Sequence, residues 1–369
     1  MSKLETANLQ NVSSGAPSFP QGMTVGGNDI TTLVSMTEYY EQAGEPSSPA
    51  NGAVWWTGSV MYQYVSGAWR IVSVSVAPPP FAGDRGLFAG GNNSNVIDYV
   101  TISTPGNATD FGDLASARYG LGACSNGSRG VFGGGYISSA ASNVIDYVTI
   151  STAGNTTDFG DLTVARQYVQ SSCSDGTYGL FGGGMLANFS GTTTIDYVTI
   201  STTANAVDFG DLTSSRYNLS ACSDGTYGVF GGGQSSVGIT IDYVTIATTG
   251  NATDFGDLSE AKSSLASCSS SSRGLFGGGV NAAGSALFNV IEYITIATPG
   301  NATDFGDLTT ATQILAACSS GSRGIFGGGN TSSSTTNAIA YVTIDTPGNA
   351  TDFGDLTSAR NLLASCSGD

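Results

Sequence analysis

The chain contains no histidine. Its absence removes the commonest general base and the commonest metal ligand available near neutral pH. A serine triad would lack its base, and a histidine-held copper or zinc centre would lack its ligands. Cations are nearly as scarce: 11 Lys and Arg stand against 28 Asp and Glu, for a formal net charge of −17. Neutralising a nucleic-acid backbone needs many Lys and Arg, so nucleic-acid binding is not expected. Docking on an anionic membrane is disfavoured for the same reason. No apolar run approaches the roughly 18 residues of a membrane span. The opening "MSKLETANLQNV" has no apolar signal core, so synthesis in a cytoplasm is expected. Charged residues of both signs make up only 11% of the chain, so the usual helix formers are also missing.

What remains is rich in glycine, with 53 residues, and in short bursts of Val, Ile, Thr, Tyr and Phe. That composition reads as all-β with tight turns. The bursts repeat. "DFGDL" begins at Asp110, Asp158, Asp208, Asp254, Asp304 and Asp352, so the copies stand 46 to 50 residues apart. Each copy travels with an apolar–Phe–Gly run (from Gly86, Gly130, Gly179, Gly228, Gly274 and Gly324). Each also carries an "IDYVTI"-like run and one cysteine: Cys124, Cys173, Cys222, Cys268, Cys318 and Cys366. Four β-prone runs per period of this length mark the blade of a β-propeller.

The order of these runs, Cys, then "FGGG", then "DYVTI", then "DFGDL", resembles a kelch repeat over residues 85–369. Phe111 and its equivalents stand where that family usually places tryptophan. The resemblance implies a six-bladed propeller and carries little information about function. Copper-dependent oxidases of kelch fold use histidine ligands, so that activity is not expected, and no enzyme, cofactor or metal site is predicted. The first repeat opens on its second strand near Arg85, and the last ends on a first strand near Asp369. Pairing of Arg360–Ser367 with Gly86–Gly90 would therefore close the ring and remove two exposed sheet edges.

The cysteines are expected to be buried free thiols, since equivalent positions on adjacent blades lie too far apart for disulfides. Asp110 and Asp113 could suggest acid–base chemistry or calcium. Their presence in every repeat favours a structural role, with Asp113 paired to Arg118. Nine of the 11 cations occupy two repeat positions and so serve the blades rather than a basic patch. The Asn-X-Thr strings at Asn107, Asn155, Asn251, Asn301 and Asn349 are read as turns. Phe111, Phe159, Phe209, Phe255, Phe305 and Phe353 are expected between blades.

The first 80 residues differ. Residues 1–50 read as an extended arm, 51–76 as a small β-meander and 77–84 as a Pro-rich linker. All three tryptophans, Trp55, Trp56 and Trp69, lie in the meander. They form either its own small core or a docking surface. "AVWW", "VMYQYV" and "AWRIV" resemble short β-modules of tailed-bacteriophage tail and fibre proteins.

Variation between repeats concentrates in the loop after each "GGG". Strand parity places all six of these loops on one face, opposite the face where the chain enters. Three of them carry Tyr136, Ile137, Met185, Leu186, Phe189, Leu287 and Phe288, which are candidate receptor contacts. The resemblances together imply a virion structural protein. It would be attached to other virion proteins through residues 1–80, oligomeric in the particle, and would display the propeller to a host receptor or glycan as a tail fibre, adhesin or decoration. A cellular kelch-type interaction scaffold is the alternative.

Overall fold

The computed structural model describes residues 83–234 and 238–368, together with six short strands further upstream. Two compact units result, Met1–Pro78 and Pro79–Asp369. In the first, Val54–Trp56, Met61–Val65 and Ala68–Val72 pair antiparallel in sequence order, which is the meander expected from the pattern. Tyr39–Glu41 adds a fourth, parallel strand beside Val54–Trp56, and Thr24–Val25 pairs separately with Asn28–Asp29. The side chains of Trp55, Trp56 and Trp69, the rest of 1–50 and the linker at 77–82 lie outside the described residues.

The second unit is a six-bladed β-propeller. Blade 2 shows the plan. Its innermost strand is Gly122–Ser125, followed outward by Arg129–Gly133, Ala140–Thr149 and Thr157–Arg166. The other blades repeat this antiparallel order. Blade 1 is composite: the C-terminal strand Ala364–Gly368 pairs with Arg85–Ala89, from Ala364 opposite Ala89 to Gly368 opposite Arg85. The ring therefore closes as the repeat boundaries predict, with pairing that starts four residues later than Arg360.

The core lies between blades. The six "DFGDL" phenylalanines are only 2–3% exposed, and each meets the tyrosine of its own third strand edge-on, as Phe111 does Tyr99 at 6.1 Å. Leu87 and Phe111 of blade 1 pack with Phe132, Val148 and Ile150 of blade 2 in one cluster, and the pattern recurs around the ring. Close approach explains the glycine of the second strand. A Cβ on Gly130 would meet the Sγ of Cys366 at 2.9 Å, and all six cysteines face such a glycine in the following blade. All six are free and buried.

One glycine in this interface has been exchanged. Gly133, Gly182, Gly231, Gly277 and Gly327 each face a phenylalanine of the next blade, and blade 1 carries Ala89 instead, fully buried in the cluster that holds Phe132. That interface accommodates a methyl group.

Polar clamps reinforce the packing. The Asn of each "GNAT"-type turn accepts a hydrogen bond from the backbone N–H of the second "DFGD" aspartate in the preceding blade. Asp113 N donates to Asn155 Oδ1 at 3.0 Å, and five equivalents complete the ring. The Asn-X-Thr strings are thus turns with a structural task.

The arginine that follows "DFGDL" does not pair with Asp113. Arg118 meets Asp146 at 2.8 Å, with both side chains buried. The reason is topological. Arg118 rides on the connector into blade 2, so it faces that blade's third strand rather than the carboxylate it left behind. Arg166–Asp196, Arg216–Asp242 and Arg360–Asp98 repeat the pair, and Lys262–Glu292 replaces it in blade 5.

Candidate recognition face at the channel mouth

The innermost strands line an axial channel. Its inner layer is held by a closed ring of hydroxyls. The Ser125 Oγ donates to Ser367 O, Ser174 to Ser125 O, Ser223 to Ser174 O, Ser269 to Ser223 O, Ser319 to Ser269 O and Ser367 to Ser319 O, at 2.6–2.8 Å. Each serine donates through its hydroxyl and accepts at its backbone carbonyl, so every neighbouring pair of innermost strands is tied once. The channel at this layer encloses about 70 Å³. Burial pushes the adjacent thiols up, that of Cys366 to about 12. They are therefore neutral and unreactive near neutral pH.

The connectors into each innermost strand and the variable loops share one face, and hydrogen bonds tie them together. Tyr136 N donates to Tyr119 O, Met185 and Gln167 exchange a pair, Gln234 N donates to Tyr217 O and Gln313 N to Asn330 O. Rigid connectors thus anchor loops of different length and sequence. The opposite face carries the near-identical turns and the chain entry, where Ile102 N donates to Asp84 O.

Around the channel mouth each connector places one residue in the left-handed backbone region: Gly120, Tyr168, Asn218, Ser264, Ile314 and Leu362, with φ from 50° to 65°. Only one is glycine, and the β-branched Ile314 is an outlier of the kind that packing must enforce. The enforcing element is a collar of backbone bonds from blade to blade. Gly120 N donates to Leu362 O, Leu362 N to Ile314 O, Ile314 N to Ser264 O, and Ser264 N to Asn218 O, at 2.7–2.9 Å. The collar weakens between blades 2 and 4. There Asn218 N reaches Tyr168 O at 3.4 Å, and Val169 rather than Tyr168 donates to Gly120 O.

Aromatic side chains gather at that irregular arc. Tyr119 lies 5.2 Å from Tyr136 and 6.3 Å from Tyr168, and Tyr168 lies 6.3 Å from Tyr217, measured between ring centres. Four rings thus run continuously across blades 2, 3 and 4. Burial first, then the neighbouring tyrosines, push the Tyr119 and Tyr168 phenols up. The other three connectors carry Ser263, Gln313 and Asn361 where Tyr119 and Tyr217 stand.

The seven side chains predicted on the loops are not one patch. Tyr136 belongs to the tyrosine row, with Ile137 half-buried beside it in a short strand that pairs with Ala140–Ala141. Met185 is buried and receives a contact from Gln167 Nε2. Leu186 and Leu287 are half-buried, and Phe288 lies under the Lys262 ammonium at 5.3 Å. Phe189 stands out: it is 72% exposed at a loop tip with φ of 64°. Tyr119, Tyr168 and Tyr217 were not predicted. A signal existed, since they occupy connectors that share a face with the variable loops and differ between blades.

Among the described residues, no group of three or more acidic or thiol side chains could hold a metal ion. No helix of the described chain is long and apolar enough to cross a membrane. No known family model matches the chain, and no curated protein matches it. The described residues from 83 to 368 form a six-bladed, all-β propeller.

Proposed function

We propose that this protein is a non-enzymatic recognition module, a structural protein of a tailed-bacteriophage virion. It is attached through residues 1–80, with its propeller displayed as a tail-fibre adhesin or as particle decoration. One observation carries the reading. Sequence change between repeats is concentrated in the loops and connectors of one face, while the Cys–Ser layer beneath them is the same in every blade. A rigid scaffold with one diversified face is how recognition surfaces are commonly built. The resemblance of residues 52–72 to modules of phage tail proteins supports the virion context. The acidic charge of −17 favours apolar and hydrogen-bonded contacts over capture of anionic envelope sugars.

The test replaces only exposed loop tips, residues 138–140, 187–190 and 282–286, with Gly-Ser segments, so that the buried Met185 and Val280 remain. Melting should be nearly unchanged, and adsorption or assembly should be lost. Mass spectrometry of purified virions should find the chain. Its absence from particles would favour a cellular kelch-type scaffold.

A further inference from the structure

Five of the six connectors space the cation, or its substitute, six residues before the cysteine, as from Arg118 to Cys124. Blade 3 runs from Arg166 to Cys173 and holds one residue more. The extra residue falls at the start of the innermost strand. That strand begins only at Ser172, and Ser171 bonds back to Gly182 through both its Oγ and its carbonyl. An inserted residue at a strand end re-aims a side chain, and such features recur next to functional sites. Here Gln170 lines a cavity of about 60 Å³ at the channel mouth, together with Ser172, Ser220 and Ser267.

Two buried polar atoms at this arc have no partner: Gln170 Nε2, a donor, and Asn218 Oδ1, an acceptor. Such groups are rare in folded proteins and call for an explanation. Asn218 follows Tyr217 in the chain, and its N–H points to Tyr168 O; Gln170 is two residues beyond Tyr168. Both therefore flank the row of four tyrosines. The nearest cations, Arg118, Arg166 and Arg216, are buried in ion pairs with aspartate and so do not supply a site for an anion.

We propose that the channel mouth between blades 2 and 4 binds a neutral pyranose unit of a glycan, with the sugar face on the tyrosine row and its hydroxyls at Gln170 and Asn218. Both residues are only half-buried, so a turn of either amide side chain exposes its orphaned atom, and a hydroxyl, which donates and accepts, satisfies both. Sugar C–H faces suit the open sides of these half-buried rings, and the phenol hydroxyls supply further polar contacts. The cavity admits a small substituent such as a hydroxymethyl group. A proline-rich peptide could cover the rings, but its prolines carry no N–H for Asn218 Oδ1. This inference specifies the ligand class for the recognition face proposed above.

The experiment is saturation-transfer NMR on the full chain, with methyl glucoside, N-acetylglucosamine, glucuronate and a polyproline peptide as separate probes. The neutral sugars should receive saturation and bind with millimolar affinity, and glucuronate should bind roughly tenfold more weakly. Gln170→Ala and Tyr168→Gly should each weaken the neutral sugars by roughly tenfold while melting stays cooperative. The Tyr168 site suits glycine because its φ is already 56°. Tyr136→Ser, on a loop outside the core, provides an independent variant with the same expected loss. The proposal is overturned if no neutral sugar receives saturation, if glucuronate or the peptide binds better, or if folded variants bind unchanged. Loss of adsorption in the loop-tip exchange together with absent sugar binding would sink this inference alone and leave the recognition reading standing.

Discussion

Two layers of the propeller, only a few residues apart in every repeat, treat sequence change in opposite ways. In the inner layer the pair Cys–Ser is written identically in all six blades. In the connector layer just before it, four blades use Arg with Asp and one uses Lys with Glu. Blade 6 uses neither: Thr312 and Ala340 occupy the two positions, and a cavity of about 50 Å³ lies between them. The difference follows from how each layer is wired. In the ring each serine hydroxyl donates to a backbone carbonyl of the neighbouring blade, and no substitution there can compensate for a lost hydroxyl. A buried ion pair balances its charge between two side chains of one blade and is self-contained in that sense. It can be exchanged whole for another pair or for two small uncharged residues, provided both partners change together.

The pair itself is an uneasy element. Burial pushes the Arg118 guanidinium down and the Asp146 carboxyl up, in each case outweighing their mutual attraction. Asp146 is the member with least support. Asp98, Asp196 and Asp242 each accept a threonine hydroxyl from the preceding connector, whereas Ala115 stands at the corresponding place for Asp146. The Nε atoms of Arg118, Arg166, Arg216 and Arg360 are buried without partners. These pairs fix the connectors in place more than they add net stability.

The contrast can be broken most strongly through the inner layer as a whole. Burial raises the pKa of every thiol above its ordinary value, so the folded state holds protons that the unfolded state releases. The stability contribution is complete below the unfolded value near 9 and is lost as pH rises towards the folded value, about 12 for Cys366. Each thiol forfeits about 1 kcal/mol over the first pH unit above 9 and approaches roughly 1.4 kcal/mol per unit beyond it, so six together forfeit on the order of 6 kcal/mol over that first unit. Melting followed from pH 8 to pH 11 should collapse within this range. Cys→Ala at two sites should remove about a third of the slope. A flat profile would mean the thiols reach solvent.

Next in size is a broken pair. Asp242→Ala leaves the Arg216 guanidinium buried without its counter-charge, with only the Gly232 and Thr240 carbonyls as acceptors, and should cost about 3–5 kcal/mol in urea unfolding. Phe305→Ala removes a ring packed between blades 5 and 6 and should cost a similar amount, about 3–5 kcal/mol. A loss below about 1 kcal/mol there would contradict the inter-blade packing described above.

The sharpest probe of the wiring is smaller. Asp242→Ala combined with Arg216→Thr recreates in blade 4 the arrangement found in blade 6. The double variant should lose less than Asp242→Ala alone, with a coupling of about 1–3 kcal/mol. Additive losses would show that the pair is not self-contained. In the serine ring no such rescue exists. Ser223→Ala should cost about 1–3 kcal/mol, because Ser174 O loses its donor, and no second replacement should restore it. Smallest of all, Ala340→Val should stabilise blade 6 by about 1 kcal/mol through partial filling of its cavity.

Much of this molecule is legible in one dimension because the repeat supplies internal copies. Six copies of "DFGDL", one cysteine per copy and the missing strand at each end together specify blade number, strand order and closure. Period-two burial makes the phenylalanine and cysteine positions readable as well. Strand parity assigns the variable loops to one face, and the hydrogen bonds between Tyr136 and Tyr119 and between Met185 and Gln167 bear that out.

What the linear pattern leaves open is every choice of partner between neighbouring blades. Nothing local says that Arg118 will meet Asp146, 28 residues ahead, rather than Asp113, five residues back; the curvature that carries the connector into the next blade decides it. The tyrosine row spans three connectors and a loop, so it exists only once blades 2, 3 and 4 stand side by side. The orphaned amide of Gln170 is likewise invisible until the ring closes around it. Local sequence determines strands and faces through short-range periodicity and turn chemistry, while contacts across 46 to 50 residues are settled by the packing of one blade on the next.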